Sequence, residues 1–190
     1  LFAGEIHTYT WIVAGAAIGT LIGVVASRMV QMTAMPQMVA LYNGLGGAAS
    51  GLVASSEYFQ NIGQISGYMA VVISLSLFVG FLTLSGSLVA FAKLQELVSG
   101  QAVVFPLQHA FNLTLLLTAV VLGALLSLDS TLLPVYLALV AVALVFGVLV
   151  VIPIGGADMP VVIALLNSYS GIAVSFTGFV LSNNALVIVG

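Results

Sequence analysis

Six long runs of uncharged, mostly apolar residues constrain what this chain can fold into. They cover residues 10–27, 35–55, 65–92, 111–128, 131–154 and 159–181, and a seventh begins near residue 185. A helix needs about 20 such residues to cross a bilayer. Strands are disfavoured because the runs are too long and do not alternate. The sequence therefore predicts an all-α fold, a polytopic transmembrane helix bundle with six complete helices and the start of a seventh.

The charged residues are few, and they lie between these runs. Only 4% of the residues are charged, whereas roughly 25% are charged in a soluble domain. A charge at mid-bilayer costs about 2.5–3.5 kcal/mol on insertion scales, which keeps charges out of spanning segments. Two basic residues exclude a nucleic-acid-binding surface, and the lack of cysteine excludes thiol chemistry. The charged residues and histidines in the gaps are Glu5, His7, Arg28, Glu57, Lys93, Glu96, His109, Asp129 and Asp158.

The two basic residues predict the orientation of the helices. Arg28 and Lys93 follow the first and third runs, and the positive-inside rule places both in the cytoplasm. The chain begins with Leu1 and ends in an apolar segment, so we expect further sequence on both sides. Residues 28–34, 93–110 and 155–158 are then cytoplasmic, and the loops at Glu57, Asp129 and residues 182–184 lie outside.

Glycine spacing indicates where helices pack closely. Gly15, Gly19 and Gly23 repeat every four residues in the first predicted helix, and Gly47 and Gly51 do so in the second. This spacing lets two helix backbones approach each other, although glycine is also common in membrane helices generally. We expect close helix packing at these glycines in both predicted helices.

An internal repeat is the most informative pattern in the sequence. Residues 35–49 and 159–173 share seven of fifteen positions, namely Met, Pro, Ala, Leu, Asn, Gly and Ala. Both copies open a helix on the same predicted side, so the repeat is parallel, as occurs among transporters. The alternative is coincidence, because proline commonly starts helices.

The repeat places an asparagine in each of two helices. Asn43 and Asn167 lie seven residues beyond their prolines, about 10 Å into the membrane. An amide at that depth needs a partner, because hydrocarbon offers none. With Ser85 and Ser87 of the third helix, the pair predicts a narrow polar path. The alternative is that these side chains only hold helices together, at about 0.6 kcal/mol each.

The residues indicate no catalytic site within the chain. The sequence contains no evident carboxylate pair, metal-ligand cluster or activated nucleophile. Residues 44–49 fit a GxGxxA dinucleotide pattern, but they lie inside an apolar run with no strand before it, so the fingerprint fails in its context.

Three segments resemble a known family. Residues 155–162 read GGADMPVV and are followed by LNSYSG at 166–171; residues 32–40 read MTAMPQMVA, and residues 85–94 read SGSLVAFAKL. Taken along the chain, they follow the family's order and closely resemble the β subunit of proton-translocating nicotinamide nucleotide transhydrogenase. The resemblance covers most of the chain.

The resemblance implies a function as part of an enzyme. The family exchanges a hydride between NAD(H) and NADP(H) and moves a proton across the membrane. The resemblance further implies a partner α subunit that binds NAD(H), an NADP(H)-binding domain after the membrane helices of the β subunit, and a homodimeric complex in the bacterial inner membrane. This chain then supplies the proton path, without the first helices, the last helix or either nucleotide site.

The resemblance also suggests roles for individual residues. Asn167 matches a functionally important Asn, and Asp158 matches an Asp in the loop facing the NADP(H) domain. Asn43 stands where many relatives carry His, which can carry a proton near neutral pH as Asn cannot. Proton transfer here must then use water, or a titratable group from another helix or subunit. The candidate proton-path residues are Asn43, Asn167, Ser85, Ser87, Ser168 and Ser170.

Two other functions remain open from the residues alone. A secondary transporter with parallel repeats predicts a substrate pocket and broken helices at mid-membrane. A purely structural membrane anchor predicts no repeated buried asparagine.

Overall fold

The computed structural model describes residues 9–65 and 67–190, and these residues form helices and no strands. Glu5 and His7, two of the predicted gap residues, lie outside the described residues. The all-α prediction is confirmed, with the helix count close to the prediction. The α-helices are α1 (Thr10–Met29), α2 (Met35–Gln60), α3 (Gly67–Leu94), α4 (Gln108–Leu128), α5 (Leu133–Val151), α6 (Met159–Val180) and α7 (Asn184–Val189).

The chain divides into two compact units, residues 1–35 and residues 36–190. In the first unit, α1 buries none of its residues. The packing expected at Gly15, Gly19 and Gly23 therefore stays a prediction. The second unit contains the other helices and all of the polar contacts described below.

The helices extend beyond the apolar runs at several ends. α2 continues to Gln60 and α3 to Leu94, while α4 begins at Gln108. Four residues expected between helices therefore lie in terminal helical turns, which corrects their expected placement: Arg28, Glu57, Lys93 and His109. A helix end can carry a charge because a long side chain reaches water or polar groups beyond the hydrocarbon.

Five of the helices in the described part, α1 and α3 to α6, are long and apolar enough to cross a membrane. α2 has 26 residues and is the one long helix of the described part that is not among the five. Its interior holds several glycines, serines and one asparagine, and these lower its hydropathy. Gly44 and Gly47 contact α3, and Asn43 contacts both α3 and α6.

Helix α3 lies at the centre of the second unit and packs against α4, α5 and α6. Its buried residues follow its whole length, from Ala70 to Lys93. One apolar cluster surrounds Leu77 and includes Tyr58 and Leu139. A second cluster near the other end of α3 includes Leu82 and Leu166. The polar residues of the site lie close to the second cluster.

The loops of the second unit meet in pairs at its two ends. At one end Gly63 donates its backbone N–H to Ser130 Oγ at 3.1 Å. At the other end Gly156 donates its N–H to the carbonyl oxygen of Gly100 at 2.7 Å. This alternation agrees with the expected topology, and the assignment of one end to the cytoplasm stays a prediction.

The two copies of the repeat begin in the same way. A short 3₁₀ turn, Met32–Ala34 or Gly156–Asp158, leads directly into the helix that starts with Met35 or Met159. In each copy proline is the second helical residue, where its missing N–H costs no intrahelical bond. The sequence similarity therefore reflects a shared local structure.

Candidate functional site

Close contact between α2 and α3 depends on glycine. A Cβ atom added to Gly47 would lie 2.8 Å from the carbonyl oxygen of Gly80, and one on Gly44 would lie 3.0 Å from Ser87 Cβ. The distance at Gly47 leaves no room for a side chain, and a side chain at Gly44 would require Ser87 to shift. The expected close packing at Gly47 is thus present, and it brings the polar residues of the two helices within reach of each other. Gly44 and Gly47 lie inside a helix, so they form no nucleotide-binding loop.

Three of the predicted site residues meet at this crossing. Asn43 Nδ2 donates to Ser87 Oγ at 3.3 Å, and Ser170 Oγ donates to Asn43 Oδ1 at 2.5 Å. The Ser170 hydroxyl also lies 3.3 Å from the backbone carbonyl oxygen of Asn43. We call Asn43, Ser87 and Ser170 the polar cluster; it joins α2, α3 and α6.

The polar cluster is largely buried and uncharged, with Ser170 half-buried. Ser87 is fully buried, and only 8% of Asn43 is exposed. Asparagine and serine do not titrate at ordinary pH, so no member of the cluster holds a proton as a charged group. The Asn43 amide has two N–H donors and an oxygen that accepts twice, and the described contacts use only part of this capacity. The remainder can bind a water molecule, which is the group that could pass a proton here.

The structure does not bring Asn167 and Ser168 to the polar cluster. Both side chains are exposed in this chain. Ser168 Oγ lies 3.4 Å from the carbonyl oxygen of Ala164 in its own helix. The two asparagines of the repeat therefore have different surroundings, although their local sequences match. The path role predicted for these two residues stays a prediction.

Ser85 faces a different helix from Ser87. Its hydroxyl lies 3.2 Å from the carbonyl oxygens of Phe81 and Leu82 within α3. It also occupies the space that a side chain at Gly147 of α5 would take. Ser85 is thus placed at the contact between α3 and α5, on another side of α3 from the polar cluster.

Asp158 lies in the 3₁₀ turn immediately before α6, and its side chain is exposed. Its carboxylate makes no cap hydrogen bond, although a negative charge at this end of a helix is favourable. Because this carboxylate is exposed and does not cap the helix, it is available to contact another domain.

Among the described residues, two hydrogen bonds between side chains of different helices lie outside the predicted site. Ser76 Oγ and Thr177 Oγ1 lie 3.0 Å apart between α3 and α6. Tyr136 donates its hydroxyl to Ser55 Oγ at 2.9 Å between α5 and α2, and its ring stacks on Tyr58 with centroids 4.6 Å apart. Hydroxyl residues within apolar runs were the available signal, but their spacing does not reveal which ones face each other.

Long apolar helices packed around a small buried polar cluster define a polytopic membrane protein. A sequence model of the family described as NAD(P) transhydrogenase beta subunit matches residues 2–190. The chain therefore belongs to the NAD(P) transhydrogenase beta-subunit family, as the motifs predicted.

Relatives with this name are found in Rhodospirillum rubrum. NAD(P) transhydrogenase subunit beta from that bacterium is 44% identical over 197 aligned positions, which include 100% of this chain and 42% of the relative. The sequence of the same name from a specified strain gives the same values. The chain thus spans less than half the length of these relatives.

Proposed function

We propose that this chain is the proton-conducting membrane part of an NAD(P) transhydrogenase, which couples proton movement across a membrane to hydride transfer between NAD(H) and NADP(H). The observation that carries the proposal is the polar cluster of Asn43, Ser87 and Ser170. Three neutral polar side chains from three helices meet inside an apolar bundle, where such groups are costly unless they serve each other or a solvent molecule.

The hydride chemistry takes place outside this chain. NAD(H) binds to an α subunit and NADP(H) to a soluble domain of the same β subunit, and the complete complex is a homodimer in the bacterial inner membrane. The exposed Asp158 faces the NADP(H)-binding domain. The nucleotide state of that domain controls the membrane path through the turn that carries Asp158.

The polar cluster acts by holding water and not by exchanging its own protons. Asn43 donates to Ser87 and accepts from Ser170, so each side chain is oriented by another. A shift of α6 relative to α2 would break the contact between Ser170 and Asn43 and release polar atoms to water. Proton passage then depends on which arrangement the three helices adopt.

The proposal is tested by replacing the asparagines with leucine in the complete enzyme, reconstituted in sealed vesicles. Proton movement during hydride transfer is measured with a pH-sensitive dye. We expect Asn43→Leu to lower the number of protons moved per hydride and Asn167→Leu to do the same if a neighbouring helix completes the path at that residue. Normal coupling in both variants contradicts the proposal.

A further inference from the structure

A single lysine side chain is buried at the end of the second unit that holds the loop after α3. Lys93, in the last turn of α3, is only 3% exposed. Its Nζ donates to the carbonyl oxygens of Gln101 at 3.0 Å, Ile152 at 2.6 Å and Ile154 at 2.8 Å. An ammonium has three N–H donors, and these three bonds use all of them.

No carboxylate pairs with this lysine among the described residues. Its charge is therefore stabilised by carbonyl dipoles alone, in bonds that are stronger than those between neutral groups. Burying a long charged side chain in this way is costly unless every donor is satisfied. The geometry thus favours one arrangement of the two backbone segments around Lys93.

The two segments that Lys93 joins also contact each other directly. The N–H of Gly156 donates to the carbonyl oxygen of Gly100 at 2.7 Å, and that of Val103 donates to the carbonyl oxygen of Ile152 at 3.2 Å. One segment is the loop after α3, and the other is the linker between α5 and α6. Lys93 ties both of them to the end of α3.

The linker and α3 each carry a residue that has a role in the proposed function. The linker ends in the turn with Asp158. Ser87 of the polar cluster lies six residues before Lys93 on the same helix, a distance of about 9 Å along its axis. Lys93 therefore links the segment that faces the NADP(H)-binding domain to α3, in addition to α6, which continues from that segment and carries Ser170.

We infer that Lys93 is a positioning residue for coupling: its ammonium fixes the linker that carries Asp158 to α3, so that movement of the linker reaches the polar cluster. The inference rests on the proposed function. It assigns Lys93 no contact with the proton or the nucleotides.

The first test replaces Lys93 in the complete enzyme in vesicles and measures protons moved per hydride transferred. We expect Lys93→Met to lower this ratio about tenfold, since losing a hydrogen bond to a charged group shifts a conformational population by about that factor. We expect the rate of hydride transfer by this variant, measured with a protonophore present, to be retained. Arg28→Met is the matched control, because it removes the same charge from an exposed side chain and should leave the ratio unchanged.

A second test separates positioning from damage to the fold. A Cβ atom at Gly156 would lie 3.6 Å from Cα of Gly100, so cysteines at these two positions are near enough for an oxidative cross-link between the linker and the loop. In a Lys93→Met enzyme that also carries Gly100→Cys and Gly156→Cys, oxidation should restore the ratio and reduction should lower it again. Lys93→Met without the cysteines, treated with the same oxidant, should not recover.

The outcomes distinguish this inference from the proposed function. If wild-type vesicles move no protons during hydride transfer, the proposed function falls and the inference falls with it. If the wild type is coupled and Lys93→Met keeps the wild-type ratio, only the inference is overturned. It is also overturned if the oxidised cysteine pair restores nothing.

Discussion

Ser170 donates its hydroxyl to the side-chain oxygen of Asn43 at 2.5 Å, although 127 residues separate the two in sequence. This contact joins the two copies of the internal repeat, since Asn43 belongs to the first copy and Ser170 to the second. The repeat therefore contributes two different residue types to one place, and not its two matched asparagines.

This contact predicts different effects for two serines on α6. We expect Ser170→Ala to lower protons moved per hydride by about fivefold, because the loss of one neutral hydrogen bond is worth about 1 kcal/mol. Ser168→Ala should have a clearly smaller effect, since that hydroxyl lies against its own helix. The measurement is dye-detected proton movement in vesicles alongside the hydride transfer rate. If the two substitutions lowered the number of protons moved per hydride equally, the hydrogen bond from Ser170 to Asn43 would have no specific role in coupling.

Neighbouring glycines of α2 should respond to alanine with opposite signs. Gly47→Ala places a methyl group 2.8 Å from backbone of α3, whereas Gly46→Ala meets no atom within 4 Å. We expect Gly47→Ala to destabilise the protein by about 1–3 kcal/mol through overpacking. Gly46→Ala should stabilise it by up to about 1 kcal/mol through helix propensity. Thermal unfolding of the purified enzyme in detergent measures both changes in stability. If the two substitutions changed the stability in the same direction, this packing would be contradicted.

The stacked tyrosines allow a test of one interhelical hydrogen bond. Tyr136→Phe removes the hydroxyl that donates to Ser55 but retains the ring that stacks on Tyr58. We expect a loss of about 0.5–1.5 kcal/mol in the free energy of unfolding. Tyr68→Phe is the control, because Tyr68 is 65% exposed and should change little. If the two variants unfold alike, the contact between Tyr136 and Ser55 contributes nothing.

The end of α3 offers a stabilising substitution. Glu96 has φ of 57°, and the N–H of Leu97 bonds to the carbonyl oxygen of Ala92 at 2.9 Å. This is the helix-ending arrangement that normally uses glycine, because a left-handed conformation costs other residues about 1–2 kcal/mol. We therefore expect Glu96→Gly to raise the unfolding temperature and Gln95→Gly to leave it unchanged or lower it. A lower unfolding temperature for Glu96→Gly would contradict the assigned backbone conformation.

The sequence was sufficient to predict the class of fold and part of the site. Long uncharged runs specify membrane helices, and the glycines near Asn43 indicated where α2 meets another helix. Asn167 was not distinguishable from Asn43, because their local sequences match and only the surrounding helices differ. The sequence alone predicts a loop position for Lys93, because the carbonyl groups that accept its hydrogen bonds come mainly from Ile152 and Ile154, about 60 residues away in sequence.

The most direct measurement imposes a pH gradient on vesicles that contain the complete enzyme and records the initial rate of hydride transfer from NADH to NADP⁺. Asn43→Leu is compared with wild type and with Asn112→Leu, which removes an amide of α4 that has no hydrogen bond with the polar cluster. We predict that the gradient changes the rate in the wild type and in Asn112→Leu but not in Asn43→Leu. A wild-type response in Asn43→Leu would contradict a proton path through the polar cluster.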